Sequence, residues 1–313
     1  MALVRLSGND PPEGAEEHWL EGRGGVKVRV LTAPGDGTRG SVIVAPGRTE
    51  FIEKYFEVLR ELQARGFGVF CIDWRGQGLS GREVENSQKG HFASFDDPVN
   101  DLSTAIKLLA PRLPRPHIGL AHSMGGAILL RALQTRRVEL DAVAFVAPMW
   151  GIPGLKPFAK RYSRFMVSIG AGGAFAPGVD KKWKRESFKR NPVTTDKDRH
   201  ARCQALIMEE PRLALAGPTV GWAAAAADVI EGFHQPGAFA HVRMPILVAT
   251  ASNEQLVDNA SHDWVVAQLP NATHIIVEGA KHEILMERDE CRAVFWAAFD
   301  ALAENIAPHR VSA

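Results

Sequence analysis

Short runs of consecutive apolar residues alternate with stretches of helical apolar spacing along most of the chain. Val26 to Leu31 reads as a strand, and Ser41 to Ala45 (Ser-Val-Ile-Val-Ala) as a buried one. Phe51 to Ala64 follows, with Phe51, Ile52, Tyr55, Phe56, Leu59 and Leu62 at helical spacing. Phe67 to Ile72 predicts the next strand and Val99 to Leu109 the next helix. His117 to Ala121, Gly125 to Leu133 and Ala142 to Ala147 repeat the order strand, helix, strand. The rhythm resumes late, with strands at Ile246 to Thr250 and Thr273 to Val277, and helices over about Ala260 to Gln268 and Ala293 to Ile306. Continuous apolar strands alternating with helices predict an α/β fold with a mostly parallel central sheet covered on both faces.

The stretch 149–239 breaks this rhythm. It has no clear buried strand and is rich in Trp, Arg, Lys, Gly and Pro. Helix-like pieces fall at Lys156 to Ile169, Asp198 to Met208 and Gly221 to Ile230. The sheet pattern continues on both sides, so the expected organisation is a core of 1–148 and 240–313 with a helical cap or lid inserted at 149–239.

Composition narrows the class without naming a chemistry. Of 313 residues, 45% are hydrophobic and 23% charged, as in an ordinary globular protein, and a net charge of +1 gives no global pull toward nucleic acid. Cys71, Cys203 and Cys291 are scattered and odd in number, which predicts reduced thiols and no metal site. The first ten residues contain no apolar core of a secretory signal, and no uncharged run approaches a membrane span. A cytoplasmic protein is expected, with contact to the inner membrane face left open.

The candidate chemistry begins where the His117–Ala121 strand runs into His122-Ser123-Met124-Gly125-Gly126 and a helix follows. A Ser on so tight a strand-to-helix turn is forced outward at the sheet edge, and small residues are needed two positions before and after it. Ala121 and Gly125 meet that need. Ser123 is therefore the candidate nucleophile, with the Met124 N–H at the helix start aimed where an oxyanion would form. His122 points elsewhere on such a turn and reads as packing support.

Ala45-Pro46-Gly47-Arg48-Thr49-Glu50 follows a buried strand. Gly47 permits close backbone approach, and the Arg48 N–H is the candidate second oxyanion donor. The loop Asp73 to Gly81 has three glycines, but neither a phosphate-loop nor a dinucleotide spacing; Asp73 and Arg75 are expected to hold it by local hydrogen bonds. His282, in a Gly-containing loop after the last strand, is the candidate base, and His274 lies within that strand. The acid should follow the Ile246–Thr250 strand, where Glu254 and Asp258 compete. Position favours Glu254, with Asp258 capping the helix that begins near Asn259. The order Ser, acid, His is one that a Ser-elbow α/β hydrolase uses.

These residues carry a resemblance. From about Val26 to Ile306 the chain resembles bacterial lysophospholipases and monoglyceride lipases, within the α/β-hydrolases. Pro46-Gly47-Arg48-Thr49-Glu50 is similar to the family's oxyanion loop, though monoglyceride lipases carry His-Gly in place of Pro-Gly. Asp73-Trp74-Arg75-Gly76-Gln77-Gly78-Leu79-Ser80, Ala121-His122-Ser123-Met124-Gly125-Gly126 and Gly279-Ala280-Lys281-His282-Glu283 look like three further family motifs. At Glu254 the family pattern has Asp. The cap segments around Trp150 and Trp222 look like the lysophospholipase branch, and both tryptophans are expected to contact substrate. The resemblance implies hydrolysis of a single acyl ester of a lysophospholipid or monoacylglycerol, with no cofactor and no metal.

From Lys156 to Arg190 there are ten Lys or Arg and two acids, with Phe158, Tyr162, Phe165, Met166, Phe175 and Trp183 between them. That face either docks on anionic lipid or is a solvated cover over a cap core. The alternatives to the esterase reading are a broad carboxylesterase, an aminopeptidase-like hydrolase with the same triad, and a non-catalytic binding protein on the same fold. Oligomeric state is not legible.

Overall fold

The computed structural model describes residues 3–35, 39–154 and 157–308. Lys156, counted in the basic stretch, lies outside them. Eight strands form one sheet: β1 (Glu16–Glu21), β2 (Lys27–Ala33), β3 (Ser41–Ala45), β4 (Gly68–Asp73), β5 (His117–His122), β6 (Ala142–Val146), β7 (Ile246–Ala251) and β8 (Ala272–Val277), in the spatial order β1-β2-β4-β3-β5-β6-β7-β8. β2 is antiparallel to both β1 and β4, and all pairs from β4 to β8 are parallel.

The central strands are buried on both faces because helices cover both. Successive side chains of a strand point to opposite faces. Ile43 and Ala45 of β3 therefore pack beside α2 (Asp96–Leu109) and α3 (Ser123–Gln134). Val42 and Val44 pack on the other side, with α1 (Phe56–Ala64) and α8 (Asp289–Ile306). Phe56, Leu59 and Leu62 of α1 are fully buried, each contributing about 1.5–3 kcal/mol. α7 (Asn259–Val266) joins the α2 and α3 side through Val265.

Two elements differ from the sequence expectation. β1 has no alternation to detect: Glu16, Glu17, His18 and Glu21 make it a polar edge strand, the form that resists edge-to-edge pairing. The helix expected over Phe51 to Ala64 is split into a 3₁₀ turn, Ile52–Tyr55, and α1.

The 149–239 segment contains α4 (Pro157–Ser168), α5 (Lys197–Glu209) and α6 (Val220–Phe233), and no strand of the sheet. Asp196 caps α5 by accepting from the N–H groups of Asp198 and Arg199, and Thr219 caps α6 by accepting from Trp222. The segment lies against the loops at the carboxyl ends of the strands. Glu283 N–H donates to Val193 O at 2.8 Å, Thr194 Oγ1 to Met286 O at 2.6 Å, and Arg199 reaches Glu57 at 2.6 Å. α6 is more than cover: Ala225, Val229, Ile230 and Phe233 belong to the same apolar cluster as α3.

Candidate active site

The turn from β5 into α3 carries backbone strain. Ser123, at the first position of α3, has φ +50°, a left-handed conformation that costs a non-glycine residue of order 1–3 kcal/mol. Gly125 is required next to it, since a Cβ there would lie 2.1 Å from the carbonyl oxygen of Ala45. The strained turn brings Ser123 out at the carboxyl edge of β5, beside the loop that follows β3.

Three side chains from three loops meet there. His282 Nε2 lies 2.8 Å from Ser123 Oγ, and His282 Nδ1 lies 2.7 Å from Glu254 Oε2. Glu254 Oε1 accepts from the N–H groups of Gln255 (2.8 Å), Leu256 (2.6 Å) and Val257 (3.2 Å), which fixes the carboxylate on a tight turn after β7. Burial alone would raise the Glu254 carboxyl, but the hydrogen bond and charge of His282 and the Leu256 and Val257 N–H groups bring it below its ordinary value. Of the two competing carboxylates, then, it is Glu254 that faces the imidazole. Asp258 caps α7, accepting from Ala260 N–H at 3.1 Å.

The loop after β3 passes against the elbow. A Cβ on Gly47 would sit 3.1 Å from Ser123 Cβ and 2.9 Å from His122 Nδ1, so only glycine allows this approach. The Gly47 N–H donates to Glu50 Oε2. The Arg48 N–H has no partner among the described residues. The Met124 N–H lies in the first turn of α3, where no helical carbonyl precedes it.

Glu50, Lys54 and Tyr55, given no site role by the sequence, hold this arrangement together with His122, which was expected to be packing support. Alternation along β5 turns His122 to the face opposite Ala121, where Nδ1 meets Glu50 Oε2 at 3.0 Å and Nε2 meets the His282 carbonyl oxygen at 3.2 Å. Glu50 also accepts from Tyr55 Oη (2.6 Å) and Lys54 Nζ (2.8 Å), and Lys54 reaches Glu283 at 2.6 Å. Burial would raise the Glu50 carboxyl, but Lys54 and His122 hold it well below the usual range. The Asp73 loop is also more than a local structure. Its Gln77 Nε2 donates to Gly47 O at 2.7 Å, its Trp74 Nε1 donates to Pro46 O at 2.7 Å, and Arg75 pairs with distant Asp101 at 2.6 Å. A motif of glycines and a lone Glu gives little warning of such long-range contacts.

The two tryptophans divide. Trp150, assigned to substrate by resemblance, is completely buried. Its ring packs on Phe145 and His262, and its N–H points at Gly126 O at 3.4 Å, so it has no face left for a ligand and belongs to the core. Trp222, on α6, lies under the Arg48 guanidinium, with Arg48 Cζ 5.4 Å from its ring centroid. His274 lies in β8 and bonds to Thr250 Oγ1. Among the described residues no group of three or more His, Cys, Asp or Glu could hold a metal ion, and no helix is long and apolar enough to cross a membrane. Cys71, Cys203 and Cys291 are free thiols.

Residues 36–289 match the family described as serine aminopeptidase S33. The chain belongs to that family of α/β-hydrolases. It is 33% identical to lysophospholipase L2 of Escherichia coli K12 over 272 residues, covering 81% of this chain and 77% of that one. It is 26% identical to the monoacylglycerol lipase of Mycolicibacterium smegmatis, covering 88% and 92%. Among solved structures it resembles monoglyceride lipase of Saccharomyces cerevisiae, with a TM-score of 0.73 at 17% identity over 93% of this chain and 96% of that one. With these relatives, this family member is a carboxylic ester hydrolase.

Proposed function

We propose that the protein hydrolyses a single acyl ester of a lysophospholipid or monoacylglycerol through a Ser123, His282, Glu254 triad. The observation that carries the reading is the continuous chain of contacts, 2.8 Å and then 2.7 Å, from Ser123 Oγ through His282 to Glu254. Ser123 Oγ attacks the ester carbonyl as its proton passes to His282 Nε2, and the ionised Glu254 steadies the resulting imidazolium. The N–H groups of Arg48 and Met124 receive the oxyanion. His282 then protonates the departing glycerol oxygen, leaving an acyl-serine. Water, deprotonated by His282, attacks that ester and releases the fatty acid. No cofactor enters any step. A fluorophosphonate probe should label wild type and spare Ser123→Ala, and the same substitution should abolish turnover of long-chain lysophospholipid and monoacylglycerol. Unlabelled wild type, or equal labelling of both proteins, overturns the reading.

The reading extends to a lipid surface and to the cytoplasmic side of a membrane. α4 shows its apolar residues to solvent: Phe158 is 80% exposed, Phe165 61% and Ile169, just beyond its end, 59%. Its Lys160 and Arg164 are engaged by Glu231 and Asp228 of α6. The 149–239 segment would then act as a lid that rests on the lipid and admits an acyl chain.

A further inference from the structure

Beside the triad, between the 149–239 segment and the core, lies a cleft of about 740 Å³, lined by Arg48, Lys54 and Glu283 below and by Lys182, Arg185 and Arg190 above; Ser123 and His282 are not among its lining residues, and Arg48 is the link between the two. Its charges are unevenly satisfied. Lys54 is held between Glu50 and Glu283, and Lys184 pairs with Asp180. Lys182, Arg185 and Arg190 have no ion pair among the described residues, and neither has Arg48.

Arg48 is the unusual member. Arg48 is half-buried, with its Nε inside; the fully buried guanidinium groups of this protein face carboxylates: Arg29 meets Glu17, Glu53 and Asp73, Arg75 meets Asp101 and Glu83, and Arg292 meets Glu57 and Glu61. Arg82 lacks a carboxylate but gives its N–H groups to the carbonyls of Gly78, Ser80, Ser87 and Arg212. Arg48 gives Nη2 to Ala216 O at 2.7 Å, while its Nε is buried without an acceptor. The Trp222 Nε1 beneath it is also buried without an acceptor. A donor left unpaired in the interior costs roughly 1–3 kcal/mol, more when it is charged. A ligand oxygen entering beside Arg48 would supply the missing acceptor. Burial lowers the Arg48 guanidinium to about 10, so it is still a cation at neutral pH.

We propose that the Arg48 side chain is the phosphate-binding residue of the substrate site, and that the cleft selects a phosphate-bearing lysophospholipid over a neutral monoacylglycerol. The inference rests on the acyl-ester reading above. Arg48 follows Gly47, which touches Ser123, so one loop presents an N–H to the oxyanion and a guanidinium to the headgroup. A short glycerol backbone separates those two groups in a lysophospholipid. The planar guanidinium, with Cζ 5.4 Å from the Trp222 ring centroid, suits a phosphate oxygen pair better than a point charge would. An aminopeptidase would instead have to receive a substrate ammonium, which this cationic cleft opposes.

The test compares lysophosphatidylcholine and monoacylglycerol of one acyl length on wild type, Arg48→Gln and Arg48→Lys. The readout is the ratio of the two kcat/KM values, so any loss at the oxyanion common to both substrates cancels. The ratio should fall about 10–100-fold in Arg48→Gln, with Arg48→Lys between. In parallel, calorimetry on Ser123→Ala measures binding of glycerol 3-phosphate, inorganic phosphate and glycerol. Glycerol 3-phosphate should bind best, glycerol not at all, and adding Arg48→Gln should remove binding. An unchanged ratio, or phosphate binding that survives Arg48→Gln, overturns the inference and leaves the esterase reading standing. Loss of fluorophosphonate labelling in wild type removes the esterase reading, while the calorimetry still decides the phosphate site. Inorganic phosphate binding as tightly as glycerol 3-phosphate would also overturn it, by showing a free-anion site with no role for the headgroup.

Discussion

Nε2 of His122 lies 3.2 Å from the carbonyl oxygen of His282, which ties the residue before Ser123 to the backbone of the His282 loop. On the other side of the ring, Nδ1 faces the Glu50 carboxylate. Both facing atoms are acceptors only, so both ring nitrogens donate and His122 is an imidazolium. Burial alone would lower its pKa, but Glu50 overrides this and raises it. Because Glu50 also holds the Gly47 N–H, a single carboxylate sets the loop after β3 and the His282 loop relative to each other.

Glu50→Gln and His122→Gln should therefore lower kcat by about 10–100-fold with KM little changed, since they misplace the reacting groups without touching substrate. The sign of the pH effect follows from the raised pKa. The His122 contribution to stability is complete below its unfolded value near 6.5 and is lost as pH rises through its higher folded value. Melting temperatures of wild type should fall more steeply on the alkaline side than those of His122→Gln. Parallel curves, with unchanged kcat, would leave this network a structural role only.

The assignment of the acid divides two carboxylates cleanly. Glu254→Gln should cost kcat roughly a thousand- to ten-thousand-fold, as expected when the group that orients a catalytic imidazole loses its charge. Glu254→Asp should lose less, because the charge stays and only reach is shortened. Asp258→Asn should leave kcat alone and cost at most about 1 kcal/mol of stability through the α7 cap. Steady-state kinetics with thermal melts separates these outcomes, and a large kcat loss in Asp258→Asn alone would reverse the assignment.

Much of this was legible in the chain because the signals are local. A buried strand, an elbow with small flanking residues and a late loop histidine are each contained within about ten positions. β1 escaped because its one apolar pair, Trp19-Leu20, is consecutive among Glu and His and gives no alternating period. Of the Glu50, Lys54 and His122 network only the supporting role of His122 was legible: Glu50 and His122 lie within motifs, but the contacts that join the network reach up to 229 positions along the chain. Trp150 misled because resemblance gives a residue type at a position and not the direction of its side chain.

A second histidine sets the acid side of the stability profile. His262 is fully buried, with Nε2 2.7 Å from Pro148 O and Nδ1 2.8 Å from Thr250 Oγ1. Nε2–H donates to the carbonyl, and because burial keeps the ring neutral Nδ1 accepts from the Thr250 hydroxyl. Burial lowers its pKa to about 4. A depressed pKa gives stability that is full above 6.5 and is lost as pH falls toward 4, a change of about 3 kcal/mol for an isolated group. His262→Gln should start less stable at pH 7 and show a flatter decline between pH 6.5 and 4. Urea unfolding at several pH values measures this, and equal slopes in the two proteins would assign the acid loss to other groups.

The exposed face of α4 gives a prediction about where the enzyme works. Phe158, Tyr162, Phe165 and Ile169 follow at intervals of four, three and four, so they form one stripe on the helix. The opposite face packs on α6, where Lys160 and Arg164 are neutralised by Glu231 and Asp228. The basic excess of the segment is therefore smaller at α4 than its composition suggests, and the apolar stripe should dominate docking. Burying two Phe side chains in the interface contributes a few kcal/mol at most, and each nearby Lys or Arg about 1 kcal/mol on an anionic surface. Wild type should co-sediment with phosphatidylglycerol vesicles more than with phosphatidylcholine vesicles, and high salt should remove the difference but not all of the binding. Phe158→Ser with Phe165→Ser should reduce binding to both by about tenfold or more and raise KM for vesicle-borne substrate, with turnover of a soluble short-chain ester unchanged. Vesicle binding that depends on salt alone and ignores these two substitutions would move the docking surface from α4 to the basic rim of the cleft.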